Sequence, residues 1–324
     1  MINKAFILLA MSFFSSSPSA DGSPPVLRIS AFKDISAFLL ASLRQDEGFR
    51  LRVEYVQNAD EAHDDLKRHK ADIVFMSYDD TLSMAVQDGY RDIAAFMPVH
   101  GGLLDLCGAL DLAAGKNRVG IDTDTGYARA LRLCLRKRYP EPEDYRQLQW
   151  RKVGATNIRF EQLRDGQIDA TLLNPPFSYQ TGITRIAALT RNEVIPSYQG
   201  VVANLNRSWW ARPAHRKAAL AFVRAYRQAL ADMQSQPGQT IAKLATFYGL
   251  SQPVASAVYA RLWEADGLNT SLGFDGRALA ETERVFAEDT GLTVPKARAW
   301  VLCDPPGWPV MCGSHTPPRR GKSR

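Results

Sequence analysis

Two carboxylates, two threonines and a glycine lie close together in residues 122–126, between an apolar tetrad and a helical pattern. Asp122 and Asp124 could hold a cation, or act as a nucleophile and its general acid. The segment does not fit a calcium loop of the EF-hand type, because Gly126 takes the fifth position from Asp122, where an oxygen ligand is needed. Calcium is therefore not expected here.

A phosphatase of the haloacid-dehalogenase type also begins with a strand followed by Asp-x-Asp, and this hypothesis stays open as the less favoured one. Such an enzyme needs a later lysine and a second acidic pair for magnesium. The strands that should carry them end instead in LLNPPF (172–177) and VVANLN (201–206). No metal site is therefore predicted.

A third interpretation is the N-terminus of a helix that begins near residue 127. Asp124 or Thr125 would be the N-cap, and Gly126 would let a ligand approach the backbone N–H groups. The alternative is that the segment only caps the helix and binds no ligand, since Asp and Thr are ordinary capping residues. The carboxylates make a phosphate or sulfonate a poorer ligand than a neutral or amine-bearing one, because like charges repel in a closed cleft.

The elements around this segment follow a repeated order of strand, helix, strand, helix, strand. In the first block apolar periodicity predicts them at residues 26–30, 35–44, 52–56, 60–68 and 72–77. In the second block it predicts them at residues 118–121, 127–138, 148–153, 158–164 and 169–174. Such units form parallel sheets with helices on their faces.

The repeat extends to single residues. LKRHKADIVFMS (66–77) and LRDGQIDATLLN (163–174) pair Asp72 with Asp169 and Ser77 with Asn174. Two similar α/β lobes with mostly parallel sheets are therefore expected, the alternative being a chance likeness between two such blocks.

The last third of the chain changes character. After one more strand at residues 200–205, amphipathic patterns predict only helices, at residues 214–235, 240–248, 253–264 and 275–289. This helical third is expected to pack on the first lobe. We therefore expect a discontinuous first lobe (26–112 plus 200–300), a second lobe (116–196), and a disordered tail rich in Pro, Gly and basic residues (303–324).

Composition limits the function classes. The chain has 324 residues, of which 45% are hydrophobic and 23% charged, as in a folded globular protein. Its net charge of +6 comes from scattered Lys and Arg rather than a dense patch, so nucleic-acid binding is not expected. The four cysteines have no CxxC spacing, which indicates neither a zinc cluster nor a redox pair. Cys107 and Cys134 are expected to be small buried hydrophobic residues.

The N-terminus predicts export. Lys4 precedes AFILLAMSFF, which has the length of a signal-peptide core, and small residues follow up to Ala20. A signal peptide of residues 1–20, cleaved near Ala20, would place the protein in the periplasm. Pro18 makes the cleavage site imperfect, so a short buried helix is the alternative. No cysteine near the site could carry a lipid, and the apolar run is shorter than the roughly 20 residues that span a bilayer.

Ligands of open α/β sheets lie beyond the carboxyl ends of the parallel strands. That rule, applied to both lobes, selects residues that would line one cleft. In LNPPFSYQ (173–180), Asn174 offers an amide and Phe177 a ring for stacking, directly after a predicted strand. The alternative is that this segment is only a rigid turn. Tyr198 and Gln199, where the chain returns to lobe one, could belong to a hinge or to the pocket. The predicted ligand-binding residues are Phe32, Lys33, Asp34, Ser77, Tyr78, Asp122, Thr123, Asp124, Thr125, Gly126, Tyr127, Thr156, Asn174, Phe177, Tyr198 and Gln199.

Catalytic groups are less evident. No constellation of His, Ser and Asp is visible in the sequence, and most of the five histidines fall on polar helix faces or in the tail. His100, before two glycines, is the one histidine near a predicted strand end. It could act as an acid or base, or it could be an ordinary loop residue.

The segments LRDGQIDATLLNPPF (163–177), WWARPAHRKAALAFVRAYRQALADM (209–233) and FYGLSQPVASAVYARLW (247–263) together resemble the substrate-binding proteins of ABC importers. The chain from about residue 26 to 300 is similar to their type II periplasmic binding fold, in the nitrate, sulfonate, taurine and thiamin-precursor group. Two departures leave the solute class open: His69 and Lys70 replace a usual glycine, and no arginine is placed for a sulfonate.

The resemblance implies a monomeric two-lobed clamp that closes on a small organic solute and delivers it to an ABC permease and its ATPase, without a cofactor. Two enzymes on the same fold are the alternatives. One is a pyrimidine-precursor synthase, which would want a cysteine-rich iron motif. The other is a dehydratase of the menaquinone-precursor type, which would be cytoplasmic. A structural or adhesive secreted protein is a further alternative.

Overall fold

The structure, a computed structural model, describes residues 24–44, 48–296 and 298–302. The predicted signal peptide with its cleavage site near Ala20 and the predicted disordered tail (303–324) lie outside the described residues. So do Cys303 and Cys312. Among the described residues no helix is both long and apolar enough to cross a membrane.

The described residues form ten strands in two sheets of five. In chain order the strands are β1 (Val26–Ala31), β2 (Arg50–Tyr55), β3 (Ile73–Ser77), β4 (Ile93–Pro98), β5 (Asp105–Gly108), β6 (Arg118–Ile121), β7 (Gln149–Lys152), β8 (Ala170–Leu173), β9 (Arg185–Ala188) and β10 (Val201–Asn206). The first sheet has the order β2-β1-β3-β10-β4, and the second has the order β7-β6-β8-β5-β9. In each sheet the fourth strand runs antiparallel to both its neighbours, so the sheets are mostly parallel, as predicted.

Burial explains why the predicted strands form. The inner strand β3 is buried on both faces and is a continuous apolar run, as is usual inside a largely parallel sheet. The edge strand β4 is buried as well, and its Ala95 forms a bridge with Val301. The edge strand β2 alternates between exposed and half-buried residues instead. The two predicted strand-helix blocks are confirmed, and each supplies three of the five strands of its sheet.

The internal repeat is confirmed by equivalent contacts at the start of each sheet. In the first, the Arg28 backbone and guanidinium donate to Asp72 at 2.9, 3.1 and 2.6 Å. In the second, the Arg118 backbone and guanidinium donate to Asp169 at 2.8, 2.9 and 2.7 Å. Each aspartate ties the turn before the third strand of its block to the first strand. The two blocks therefore share local bonding as well as strand order.

Two crossings connect the sheets, one between β4 and β5 and one between β9 and β10. β5 pairs with β8 and β9 of the second sheet, so the chain leaves the first lobe before Asp105 rather than after residue 112, the boundary expected from the sequence. The reason is that residues 93–108 form a nearly continuous apolar stretch, which hides where one strand ends and the next begins. The chain then returns to the first sheet with β10.

Helices cover both sheets. Those of the first two thirds are α1 (Ile35–Ala41), α2 (Ala59–Lys67), α3 (Tyr78–Leu82), α4 (Tyr127–Arg138), α5 (Pro142–Arg146) and α6 (Thr156–Arg164). The final third contributes α7 (Arg207–Trp210), α8 (Pro213–Ser235), α9 (Pro237–Tyr248), α10 (Gln252–Leu262) and α11 (Gly276–Thr290). Four of these last helices match the helices predicted there.

The helical third packs on the first sheet. Phe222 of α8 contacts Phe49 and Phe75 edge to face, with ring centroids 6.0 and 6.3 Å apart. These rings belong to one core that also takes in α9 and α10. Helix α11 differs, because Phe286 packs in the first lobe while its neighbour Val285 packs in the core of the second. It therefore joins the two lobes on one side.

Candidate functional site

A cavity of about 50 Å3 lies between the lobes. It sits at the carboxyl ends of the parallel strands of both sheets, where the strand-to-helix loops meet. Its lining from the first lobe is Phe32, Asp34, Ala59, Ser77, Asp80 and Val201. Its lining from the second lobe and the adjoining crossing is Leu104, Gly120, Ile121, Asp122, Thr125, Gly126, Tyr127, Ala128, Leu131, Thr156, Arg159, Leu172 and Asn174.

The loop of residues 122–126 binds the opposite lobe. The Gly126 backbone N–H donates to Asp79 Oδ1 at 2.9 Å, and the Thr125 hydroxyl donates to Asp80 Oδ1 at 2.8 Å. A Cβ on Gly126 would lie 3.0 Å from Asp80 Oδ2 and 3.3 Å from Ser77 Oγ, and its φ of +62° also favours glycine. This glycine therefore allows the two lobes to approach closely.

The capping of α4 differs from the prediction. Gly126 is the N-cap residue, and no side chain caps the helix. Asp124 is instead exposed and forms an ion pair with Lys152 of β7. Since Asp122 faces the cavity and Asp124 faces solvent, the Asp-x-Asp pair does not converge on one point as a phosphatase pair would.

A second bridge between the lobes joins Asp34 and Asn174. The Asn174 amide Nδ2 donates to Asp34 Oδ2 at 2.7 Å, and Asp34 Oδ1 caps α1 by accepting from the Ser36 N–H at 2.8 Å. Because the Asn174 Nδ2 donates to Asp34, the amide oxygen of Asn174 points away from that carboxylate. That oxygen is buried and has no partner among the described residues.

Asp80 lies in a network of hydrogen-bond donors. It accepts from Ser77 Oγ at 2.7 Å, and His63 Nε2 lies 3.5 Å from its other oxygen. Burial alone would raise the pKa of Asp80, but His63, Ser77 and Thr125 together hold that pKa below its usual range. Burial alone would lower the pKa of His63, and the Asp80 carboxylate reverses this, so the pKa of His63 is raised.

Asp79 and Arg129 form a buried ion pair across the lobes. The guanidinium donates to Asp79, to Ser83 Oγ at 2.8 Å and to Gln87 Oε1 at 3.0 Å. Burial raises the pKa of Asp79 to about 7, although Arg129 opposes that shift. The pair lies behind the cavity lining and ties α4 to α3.

Four polar atoms of the cavity lining are buried and have no hydrogen-bond partner among the described residues. They are Asp122 Oδ1, Tyr127 OH, Thr156 Oγ1 and Asn174 Oδ1. Buried polar atoms are nearly always paired, so four in one cavity indicate a place built for a polar ligand. Burial also raises the pKa of Asp122 to about 7, against the lowering effect of Arg159.

The structure brings nine of the sixteen predicted site residues to the cavity lining: Phe32, Asp34, Ser77, Asp122, Thr125, Gly126, Tyr127, Thr156 and Asn174. The other seven lie elsewhere. Lys33 is exposed with its Nζ 5.8 Å from the centre of the Tyr55 ring, Asp124 faces solvent, and Thr123 bonds to Thr125.

The remaining four of these seven are held by other contacts. Tyr78 points into the first-lobe core and donates to Glu283 Oε1 at 2.9 Å. Phe177 packs on Phe160, and Tyr198 packs on Tyr127. Gln199 is bound to the backbone of the crossing segments through His100 O and Val201 O.

Two charged lining residues, Asp80 and Arg159, are absent from the predicted set. Asp80 has a sequence signal, since it is the second of two carboxylates directly after a buried strand. Arg159 lies in the first turn of α6, which follows the carboxyl end of β7, so the strand-end rule carried one turn further would include it. His63 was assigned to a polar helix face, yet it is buried against Asp80.

The nucleophile and acid–base candidates lie outside the cavity lining. His100 is fully buried, its Nδ1 donates to Gly101 O at 2.6 Å, and burial lowers its pKa. Cys107 is buried as expected and burial raises its pKa, while Cys134 is only half-buried. Within the described ranges no group of three or more His, Cys, Asp or Glu side chains could hold a metal ion.

The fold has several known counterparts. A ligand-binding component of an ABC-type import system from Staphylococcus aureus, solved with zinc bound, matches with a TM-score of 0.67 at 16% identity, over 86% of this chain and 96% of its own. The alkanesulfonate-binding protein of Xanthomonas axonopodis pv. citri, bound to MOPS, matches with a TM-score of 0.64 at 18% identity, over 86% of this chain and 99% of its own.

A Candida albicans protein described as having the generic periplasmic binding protein fold matches with a TM-score of 0.63 at 12% identity, over 86% of this chain and 96% of its own. No protein-family model matches the sequence, and no curated protein matches it. The structural matches establish that this chain has the periplasmic binding protein fold.

Proposed function

We propose that this chain is the solute-binding component of an ABC importer, which closes its two lobes on a small organic solute and delivers it to a permease. The observation that carries the proposal is the cavity between the lobes, with its four buried, unpartnered polar atoms. The fold agrees with this function, because two of its structural counterparts are described as binding proteins of this kind.

The contacts across the cleft give the proposal a mechanism. Thr125, Gly126 and Asn174 bind carboxylates of the first lobe, so the lobes must separate before a solute can enter. The two crossings between the sheets are the natural hinge, as in other domain closures around ligands. A solute that bonds to both lobes then favours the closed form, which a permease and its ATPase can recognise.

We assign solute contact to the nine predicted residues that line the cavity, together with Asp80 and Arg159. Export to the periplasm rests on the signal-peptide pattern of residues 1–20, and a monomer is expected because the cavity is complete within one chain. Cell fractionation of the full chain tests the localisation, and light scattering of the purified protein tests the monomer.

A thermal-shift screen against amine, heterocyclic, sulfonate and neutral solutes tests the function. A solute at a hundred times its Kd should stabilise the folded protein by about 2.7 kcal/mol. Binding without chemical change of the solute supports the importer component. Turnover of a stabilising solute would instead support an enzyme on the same fold, such as a pyrimidine-precursor synthase or a dehydratase.

A further inference from the structure

The unpartnered atoms of the cavity are mainly hydrogen-bond acceptors. Asn174 Oδ1 is an amide oxygen and can only accept, and Asp122 Oδ1 can only accept when the carboxyl is ionised. The Tyr127 and Thr156 hydroxyls can accept or donate. One of the two amide N–H groups of Asn174 already donates to Asp34. A ligand that satisfies this set must therefore supply at least two donors.

The charges of the cavity lining also favour a ligand that donates hydrogen bonds. Three carboxylates line the cavity, from Asp34, Asp80 and Asp122, against the single guanidinium of Arg159. His63 lies beside Asp80, which raises its pKa, and it compensates the Asp80 charge in part when it is protonated. In a closed cavity of low dielectric, the remaining negative charge favours a cation and disfavours an anion.

Arg159 does not reverse this conclusion. Its Nε donates to Leu172 O at 3.3 Å and its Nη1 to Gly154 O at 2.6 Å, and these two bonds to the backbone fix the position of the guanidinium. Asp122 and Asp34 both interact favourably with its charge. Arg159 is thus a counterion, fixed by the backbone, whose charge is offset by these two carboxylates.

We infer that the cavity recognises a small cationic group that carries several N–H donors, such as a primary ammonium or an amidinium, through Asp122 and Asn174. This inference rests on the proposed function and names the class of solute. The volume of about 50 Å3 agrees with a head group of this size, since one water needs roughly 10–15 Å3 by the same measure. A sulfonate would place its oxygens against the acceptor atoms.

Probes of equal size and opposite charge test the inference. Ethylammonium and acetamidinium are compared with ethanesulfonate and acetate, each at equal ionic strength, and with ethanol as the neutral control. The melting temperature should rise with the two cations above the value in sodium chloride, and not with the two anions. The rise should disappear in Asp122→Asn.

Asp124→Asn is the matched control, because Asp124 belongs to the same loop but faces solvent and Lys152. The cations should stabilise this variant as much as the wild type. If both variants lost the response equally, the effect would come from the net charge of the protein. That result would overturn the assignment to the cavity.

The pH dependence of binding gives a second readout. Asp122 is faced by Arg159 of α6, Asp80 of α3, and Asp60 and the backbone of Ala59 at the start of α2. With its pKa about 7, Asp122 is about 9% ionised at pH 6 and 91% at pH 8, while an alkyl ammonium stays charged up to about pH 10. The dissociation constant for ethylammonium should therefore fall about tenfold from pH 6 to pH 8.

The outcomes separate this inference from the proposed function. Stabilisation by the cations alone, with the expected pH dependence, supports both. Stabilisation by ethanesulfonate or acetate but not by the cations overturns the inference and leaves the solute-binding function standing. If no probe and no solute of the broader screen exceeds sodium chloride, the inference and the function both fail.

Discussion

Arg129 provides the sharpest test of how the lobes are joined. Arg129 and Asp79 are both buried, and the guanidinium also bonds to Ser83 and Gln87. In Arg129→Met, Asp79 keeps only the N–H of Gly126 as a partner among the described residues. Removing one partner of a buried ion pair destabilises a protein by about 3–5 kcal/mol. At about 2 °C per kcal/mol for a chain of this size, the melting temperature should fall by roughly 6–10 °C.

The same variant should show a characteristic pH dependence. The folded-state pKa of Asp79 is already raised to about 7, above its ordinary value, so stability from this group is present at low pH and lost as the pH rises through 7. Loss of Arg129 raises that pKa further. Because a protonated Asp79 needs no cation, Arg129→Met should be less destabilised at pH 5 than at pH 8.

A double-mutant cycle with Asp79→Asn completes the test. Arg129 keeps Ser83, Gln87 and the nearby Asp289 in the single variant Asp79→Asn, so its cost should be smaller. The double variant should be more stable than the sum of the single effects by about 1.5 kcal/mol or more, since no unpaired charge remains. Additive effects, or a melting temperature of Arg129→Met within 1 °C of wild type at pH 8, would refute the reasoning.

Three further predictions concern single residues. Gly126→Ala should lower the melting temperature and weaken solute binding, because its φ of +62° and the 3.0 Å approach of a Cβ to Asp80 strain the closed form by about 1–3 kcal/mol; unchanged binding in calorimetry would contradict this. Trp300→Phe removes the 2.7 Å bond from the indole N–H to Tyr78 and should cost about 1 kcal/mol in urea unfolding; a larger loss would indicate repacking. Asp122→Asn without solute should melt above wild type at pH 8, with the difference shrinking by pH 5, because the folded-state pKa of about 7 makes the ionised group destabilising; an equal difference at both pH values would contradict the burial of Asp122.

The sequence predicted the fold well where local periodicity and topology agree. The two strand-helix blocks are continuous in the chain, so their order gives three of the five strands of each sheet. β5 and β10 pair with partners distant in the sequence, and no local pattern identifies the sheet to which such a strand belongs. Strands β4, β5 and β9 and the short helices α3, α5 and α7 were not predicted.

Of the site residues, the sequence predicted those that lie at the carboxyl ends of strands. Asp34, Asp122 and Asn174 directly follow strands or begin helices there, and the strand-end rule placed them correctly near one another. Lys33 and Asp124 occupy the same loops, but their side chains face solvent, and a one-residue shift along a loop changes the direction of a side chain. Arg129 and Asp79 belong to different lobes and meet where the lobes contact each other. Local sequence patterns do not predict such a contact.

Calorimetry of the most stabilising solute on wild type, Asn174→Ala and Asp124→Asn tests the central claim most directly. Asn174 contributes a donor to Asp34 of the opposite lobe and a buried acceptor to the cavity, so both closure and solute contact depend on it. We predict one solute per wild-type chain, unchanged affinity in Asp124→Asn, and affinity weaker by about tenfold or more in Asn174→Ala, as for loss of a buried hydrogen bond. Wild-type affinity in Asn174→Ala would contradict a solute site between the lobes.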